Sequence, residues 1–286
     1  MHDDELDVDV PLVLRLLAAQ FPEWAELPIE PVPNRGTDNA LFRLGPELVA
    51  RLPVQESKAA TLVRELEWLP RLAPHLPLAV PVSVAQGEPG EGYPCIWCVN
   101  TWLPGEDATV GPAVDAADAL AEFILALQAI DASDGPLPGR HNFGRGEPLV
   151  NRDAPFRAAL ATLDVPGAAA VWEEALAAPR WEAPGRWLHG DLDARNVLVD
   201  DGRLSGVIDW GALGVGDPAC EAMVAWKLVP VEERDAFRAR LGLDDAAWAR
   251  ARGWVVSQAV IALGYYTDET NPVLVAEARR WLEEAL

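Results

Sequence analysis

The hydrophobic pattern changes character near Pro104-Gly105, and this change is the strongest constraint on the fold. Before it, short apolar runs are separated by turn residues. The runs at 40–44 and 47–52 flank Gly45-Pro46 and predict an antiparallel hairpin. After it, apolar residues within 120–130 recur every three or four positions, which predicts an amphipathic helix. The chain is therefore expected to combine a sheet and a helical part.

The two parts predict an α+β protein with a boundary after residue 103. Residues 1–103 should form a small lobe that holds an antiparallel sheet, with a helix over 8–20 and a second over 56–72. Residues 104–286 should form a larger, mainly helical lobe. That lobe also contains short strand-like runs around a polar segment, which is the most informative part of the sequence.

The polar segment runs from His189 to Gly211. Asp191 and Asn196 lie five residues apart, and Asp209 follows the next two predicted strands. Phosphoryl transfer requires a carboxylate near the attacking hydroxyl and oxygen ligands for Mg²⁺, with little covalent work by the protein. An Asp and an Asn on one loop, with a second Asp after the following hairpin, can divide those tasks.

This segment resembles two motifs of the aminoglycoside phosphotransferase family, within the protein-kinase-like superfamily of small-molecule kinases. His189-Gly190-Asp191 with Asn196 is similar to the catalytic loop, and Ile208-Asp209-Trp210-Gly211 is similar to the metal-binding motif. The resemblance implies a two-lobed protein-kinase-like fold and in-line transfer of the γ-phosphate of ATP or GTP. It implies that Asp191 is the catalytic carboxylate, that Asn196 and Asp209 bind Mg²⁺, and that His189 supports the loop.

The same resemblance assigns the nucleotide to residues 1–103. The polar loop between the first strands, with Gly36, Thr37 and Asn39, is similar to the loop that covers the triphosphate. Arg51 stands where the family usually has a phosphate-gripping lysine. A guanidinium keeps the charge but changes the geometry, so either Arg51 takes this role or the register differs by a few residues. Glu65 is the expected helix partner, ahead of Glu67 by spacing.

The strand over 96–103 resembles the hinge of the family, in which the backbone reads the adenine edge. Val99 and Thr101 are the expected contacts, and they do not distinguish ATP from GTP.

The charge balance bears on the partner. With 23 basic and 45 acidic residues, the net charge of −22 argues against nucleic acid and favours a cationic ligand, although it also promotes solubility. With the resemblance, it predicts an aminoglycoside-type antibiotic as acceptor, with a macrolide, choline, homoserine or sugar amine as alternatives. Candidate acceptor contacts are Asp217, Glu221, Glu232 and Asp268. Asp217 and Glu221 equally suit a helix N-terminus.

The remaining features favour a cytoplasmic protein with no evident obligate protein partner. The acidic start, Met1 to Glu5, differs from a signal peptide, and no apolar run reaches the ~20 residues of a membrane span. Cys95 and Cys98 form one C-x-x-C without the second ligand pair of a zinc site, which favours buried free thiols.

Two other functions fit parts of the sequence. Gly214 to Ala219 fits a dinucleotide-binding fingerprint, but a second parallel strand is not predicted after the following helix. A nucleotide-binding pseudokinase, inactive through Arg51, is the second. The presence of Asp191, Asn196 and Asp209 favours an active enzyme.

Overall fold

The computed structural model describes residues 6–33, 38–109 and 113–286, which fold into two compact units. The first unit comprises the described residues of Met1–Pro74, together with Ala79–Pro104 and Gly206–Gly211. The second comprises His75–Leu78 and the described residues of Gly105–Ser205 and Ala212–Leu286. Each unit therefore includes a short segment from the part of the sequence that otherwise forms the other unit.

The first unit is an antiparallel sheet with two α-helices. In the order along the sheet, the strands are β1 (Ile29–Pro31), β2 (Asn39–Leu44), β3 (Leu48–Pro53), β5 (Trp97–Thr101) and β4 (Ser83–Gly87). The helices are α1 (Val10–Gln20) and α2 (Glu56–Leu72). Leu44 pairs with Leu48 across the predicted hairpin, and Gly45 takes the turn at φ +58°. Every paired strand in this sheet is antiparallel.

The core of the first unit lies between α1 and one face of the sheet. Asp9 begins α1 by accepting a hydrogen bond from the backbone N–H of Leu12 at 2.8 Å. Leu16 and Leu17 on the buried face of α1 belong to the same cluster as Leu44 and Trp97 of the sheet. Each such fully buried side chain contributes about 1.5–3 kcal/mol. The helix and the sheet therefore stabilise each other.

The second unit is mainly helical. Its α-helices are α3 (Ala116–Ala129), α4 (Asp153–Leu160), α5 (Ala168–Ala177), α6 (Arg234–Arg240), α7 (Asp245–Tyr265) and α8 (Pro272–Ala285). Its short strands are β6 (Glu106–Asp107), β7 (Arg186–Leu188), β8 (Val197–Asp200), β9 (Arg203–Val207, whose last two residues belong to the first unit) and β10 (Gly214–Gly216). Helix α7 packs against α4, α5, α8 and the 3-10 helix Pro218–Trp226. Ten of the 21 residues of α7 are buried.

The α+β prediction is confirmed, and the structure corrects it in two places. Residues 214–216 form strand β10, which pairs antiparallel with β7, and a 3-10 helix follows in place of an α-helix. A dinucleotide fingerprint requires a turn between a strand and an α-helix at these residues. The structure therefore does not support the dinucleotide-binding alternative.

Two smaller predictions have the following outcomes. Cys95, Cys98 and Cys220 are buried free thiols, as predicted for the first two. Within the described ranges, none of the helices has the length and apolar character required to cross a bilayer.

Candidate active site

The loop from His189 to Asn196 connects β7 to β8 and is anchored from below by a buried carboxylate. Glu221, in the 3-10 helix, accepts hydrogen bonds from the backbone N–H groups of His189 at 2.5 Å and Gly190 at 3.3 Å. Gly190 has φ +82°, and a Cβ there would lie 2.5 Å from the carbonyl oxygen of Ala212. Glycine is therefore required at this turn.

The loop is also closed by its own side chains. The Nδ1 atom of His189 accepts a hydrogen bond from the backbone N–H of Asp191 at 3.2 Å, so the expected supporting role of His189 has a direct contact. Asn196 donates from Nδ2 to the carbonyl oxygen of Asp191 at 2.9 Å. Asp193 binds the backbone N–H of Arg195 at 2.9 Å and its guanidinium at 2.5 Å. These contacts fix the direction of Asp191 before any ligand binds.

The two carboxylate oxygens of Asp191 have different surroundings. Oδ1 lies 3.2 Å from Nη1 of Arg145 and accepts from Nε2 of Gln258 at 3.4 Å. Oδ2 has no hydrogen-bond donor among the described residues. Although burial opposes ionisation, the positive charges of Arg145, Lys227 and Arg195 hold the pKa of Asp191 well below its usual range. Asp191 is therefore an ionised acceptor with one open oxygen.

Arg145 comes from the long loop between α3 and α4. Asn142 fixes this loop by donating to the carbonyl oxygen of Arg145 at 3.0 Å and accepting from the backbone N–H of Gly139 at 2.9 Å. The sequence shows only an arginine in a glycine-rich stretch, with no periodicity or motif. The sequence therefore does not indicate a role for Arg145, because its partner Asp191 is distant along the chain.

A buried lysine also lies in the electrostatic environment of Asp191. Lys227 is fully buried, and its Nζ stands 4.5 Å from the ring centroid of Trp281 without a hydrogen-bond partner among the described residues. Burial lowers the pKa of Lys227 to about 8, against the opposing effect of Asp191 and Asp193. Its ammonium group helps to keep Asp191 ionised at neutral pH.

In the first unit, Arg51 and Glu65 form the expected pair. Nη1 of Arg51 lies 2.5 Å from Oε2 of Glu65, and Nη2 donates to Oε1 at 2.8 Å. The side chains are 11% and 5% exposed, so this bidentate pair is shielded from water. Although burial opposes it, the charge and hydrogen bonds of Glu65 raise the pKa of Arg51. This contact agrees with the predicted position of Arg51 and with the choice of Glu65 over Glu67. Binding of phosphate by Arg51 stays a prediction.

Two further predicted residues surround Arg51. With its amide oriented to accept, Oδ1 of Asn39 lies 3.1 Å from Nη2 of Arg51. Asp209, in the segment of the first unit formed by residues 206–211, adds to the negative charge felt by Arg51 and has φ +60°. Gly36 and Thr37 lie outside the described residues.

The two predicted Mg²⁺ ligands lie in different units. Asn196 belongs to the second unit and Asp209 to the first. The Nδ2 atom of Asn196 is used within the loop, which leaves its Oδ1 without a described donor and suits it to a hard cation. Residues 6–33, 38–109 and 113–286 contain no group of three or more His, Cys, Asp or Glu side chains that could hold a metal. The predicted set of one amide and one carboxylate has a different composition and stays a prediction.

The two nucleotide contacts expected at the hinge, Val99 and Thr101, lie in strand β5. Val99 is fully buried in β5, where it pairs with both Ala50 of β3 and Ala85 of β4. Thr101 donates its backbone N–H to the carbonyl oxygen of Val82 at 2.9 Å. The backbone N–H of Thr101 is thus engaged in the sheet, and a contact of either residue with an adenine edge stays a prediction.

The structure also corrects two of the four expected acceptor contacts. Asp217 caps the 3-10 helix through the backbone N–H of Ala219 at 3.0 Å, and its carboxylate binds Arg250 at 2.7 Å in a buried pair. Glu221 is fully buried below the loop of residues 189–196. Both carboxylates are inaccessible to an acceptor, and the helix-terminal alternative holds for Asp217. Glu232 is exposed, and Asp268 is exposed and paired with Arg279 at 2.9 Å, so these two stay predictions.

Solved structures show the same fold. The GDP complex of wild-type aminoglycoside 2'-phosphotransferase-IIIa superimposes with a TM-score of 0.75 at 20% identity, covering 97% of this chain and 98% of that one. Macrolide 2'-phosphotransferase MphH from Brachybacterium faecium gives 0.64 at 21% identity, covering 94% and 97%. The ternary complex of APH(2")-IIa with streptomycin and ATP gives 0.61 at 17% identity, covering 90% and 91%.

At the level of sequence, two comparisons complete the result. No curated protein matches the chain at a significant level. The model of the Phosphotransferase enzyme family matches residues 29–254, which is more than half of the chain and includes both motif segments. The chain therefore belongs to the Phosphotransferase enzyme family.

Proposed function

We propose that this phosphotransferase moves the γ-phosphate of ATP or GTP to a hydroxyl group of a small molecule. The observation that supports this most directly is the state of Asp191, which is ionised, rigidly held and open at Oδ2. A carboxylate in this state can accept a hydrogen bond from an attacking hydroxyl and orient its lone pair. Strong basicity is not required, because the transition state of phosphoryl transfer is loose.

Other residues divide the remaining tasks. Arg51, held by Glu65, would bind phosphate oxygens of the nucleotide in residues 1–103, and residues 104–286 would provide the acceptor site. Asn196 and Asp209 would hold Mg²⁺, which when bound neutralises charge on the phosphate oxygens. The fixed amide of Asn196 supports this assignment, because its oxygen is already directed by the hydrogen bond that its nitrogen makes.

For the acceptor, we propose an aminoglycoside-type antibiotic in a cytoplasmic reaction. Two observations support this choice: the net charge of −22, and structural neighbours described as complexes with kanamycin, streptomycin and gentamicin. A macrolide is the second candidate, because two structural neighbours are macrolide 2'-phosphotransferases. Glu232 and Asp268 would contact the cationic acceptor.

The test is release of ADP or GDP in the presence of Mg²⁺ and a panel of acceptors. Kanamycin, gentamicin, streptomycin and a macrolide are each added to wild type and to Asp191→Asn. We expect acceptor-dependent release by wild type and a loss of at least about 10³-fold in the variant, because the oriented carboxylate is removed. Equal rates for the two proteins would contradict the role of Asp191. Activity with another hydroxylated acceptor alone would refute the antibiotic and retain the phosphotransferase.

A further inference from the structure

One nitrogen of the buried Arg145 guanidinium, Nη1, has unused hydrogen-bonding capacity. Its side chain is 9% exposed, and Nη1 lies 3.2 Å from Oδ1 of Asp191. The same Nη1 has no hydrogen bond of acceptable geometry in the described part of the chain. A buried N–H group of a charged side chain without an acceptor is costly and rare in folded proteins. This atom is therefore suited to an acceptor that binds beside Asp191.

A second guanidinium makes the surroundings of Arg145 more positive. Arg152 donates from Nε to Oγ of Ser257 at 3.0 Å and from Nη1 to the carbonyl oxygen of Phe143 at 3.0 Å. No described carboxylate forms an ion pair with Arg152. Burial, followed by the positive charge of Arg145, lowers the pKa of Arg152 to about 10. Arg152 therefore adds to the positive charge around Arg145, and this charge favours an anion.

The reaction brings an anion to this position. A hydroxyl bound to Oδ2 of Asp191 stands about 2.7 Å from it, as hydrogen bonds between oxygens do. The phosphorus approaches the hydroxyl oxygen to about 3–3.5 Å before transfer. The phosphoryl oxygens therefore come within a few ångströms of the carboxylate that Arg145 already contacts.

We propose that Arg145 is a further catalytic residue, whose Nη1 donates a hydrogen bond to the phosphoryl group during transfer; this inference rests on the proposed function. The bond from the γ-phosphorus to the bridging oxygen of the nucleotide breaks, and the bond to the acceptor oxygen forms. The hydroxyl proton leaves to Asp191 or to water, and the leaving oxygen carries its electron pair to the nucleoside diphosphate. Arg145 keeps all its protons and stabilises charge on the equatorial oxygens.

A simpler role for Arg145 would be to keep Asp191 ionised. The two roles differ in their dependence on pH. If Arg145 acts only on Asp191, its loss raises the pKa of that carboxyl, moves the acidic limb of kcat upward and leaves the plateau unchanged. If Arg145 contacts the phosphoryl group, the plateau itself falls, because a donor to the transition state is missing at every pH.

The experiment measures kcat from pH 5 to pH 8 and the affinity for Mg²⁺ with ADP and aluminium fluoride, which imitates the transferring phosphoryl group. Wild type is compared with Arg145→Gln, Arg145→Lys and the control Arg157→Gln, which removes an exposed guanidinium from α4. We expect Arg145→Gln to lower the plateau by about 10²–10³-fold and to weaken the fluoride complex similarly, with ADP affinity within about threefold. Arg157→Gln should match wild type.

The outcomes are decisive for each variant. Arg145→Lys keeps the positive charge but loses the planar guanidinium, so it should lower the plateau of kcat at least about tenfold. If Arg145→Gln does not fold, Arg145→Lys alone tests the inference. A wild-type plateau in a folded variant, with only the acidic limb displaced, would overturn the inference. Unchanged affinity for the fluoride complex would do the same. If wild type releases no nucleoside diphosphate with any acceptor, the proposed function is overturned, and this inference falls with it.

Discussion

Replacing Glu221 by glutamine tests how the catalytic loop is anchored, because it removes a charge and keeps the size of the side chain. Oε2 of Glu221 accepts from the backbone N–H groups of both His189 and Gly190, and a glutamine oxygen can accept from both as well. The variant therefore retains the geometry of the anchor to first order. What it loses is the ability of the buried group to bind and release a proton.

The expected magnitude follows from the pKa of Glu221. Burial raises it from an ordinary value of 4.5 to about 7, against the hydrogen bonds from Gly190 and His189 and the charges of Lys227 and Arg145. Between those values, the folded protein binds more protons at this site than the unfolded chain does. The contribution to stability is therefore fully present below pH 4.5 and is lost as the pH rises through 7. A shift of this size corresponds to about 3 kcal/mol.

The assay is urea unfolding of wild type and Glu221→Gln, followed by tryptophan fluorescence from pH 4.5 to pH 7.5. The free energy of unfolding of wild type, minus that of the variant, should fall by about 3 kcal/mol across this range. Glu232→Gln, which removes an exposed carboxylate, controls for a change in net charge. A difference that stays constant within about 1 kcal/mol from pH 4.5 to 7.5 would refute the assignment of this titration to Glu221.

Three further predictions concern stability and turnover. Glu65→Gln should lower the free energy of unfolding by about 3–5 kcal/mol in urea, because buried Arg51 loses its counter-charge, whereas Arg51→Met with Glu65→Leu should be nearly neutral. Gly190→Ala should lower kcat at least about tenfold in the nucleoside diphosphate assay, since its Cβ displaces the loop from Ala212. Lys227→Met should raise the thermal stability at pH 7, because it removes a buried charge. The gain should shrink by pH 9.5, because the wild-type lysine loses its charge above its pKa of about 8 and then destabilises the fold less.

Local elements were predictable because each is encoded by neighbouring residues. Gly45-Pro46 between two alternating runs specifies the β2–β3 hairpin, and the apolar spacing in α1 and α3 specifies their buried faces. The Arg51–Glu65 contact followed from the resemblance of the surrounding strand and helix to a known pattern. The short strand β10 was missed, because residues 214–216 are glycine-rich and have no strand propensity of their own.

The contacts of Asp191 were not predictable, because they join residues far apart in the sequence. Arg145, Gln258 and Lys227 come from three different elements, and no spacing rule relates them to the motif. Glu221 was expected either to stabilise a helix N-terminus or to contact the acceptor substrate. It instead accepts hydrogen bonds from backbone N–H groups of the loop that carries Asp191. The net charge of −22 did not indicate this local arrangement, because the acidic chain places the guanidinium of Arg145 beside the carboxylate of Asp191.

The unequal oxygens of Asp191 have a consequence for selectivity. One oxygen lies beside Arg145 and accepts a hydrogen bond from Gln258, whereas the other has no described donor, so an incoming hydroxyl would bind the second oxygen and its lone pair would take a preferred direction. On a molecule with many similar alcohols, the one that is modified is thus chosen by the angle at which the scaffold can enter. Regiochemistry would be determined by orientation, even where the intrinsic reactivities of the competing hydroxyls are alike.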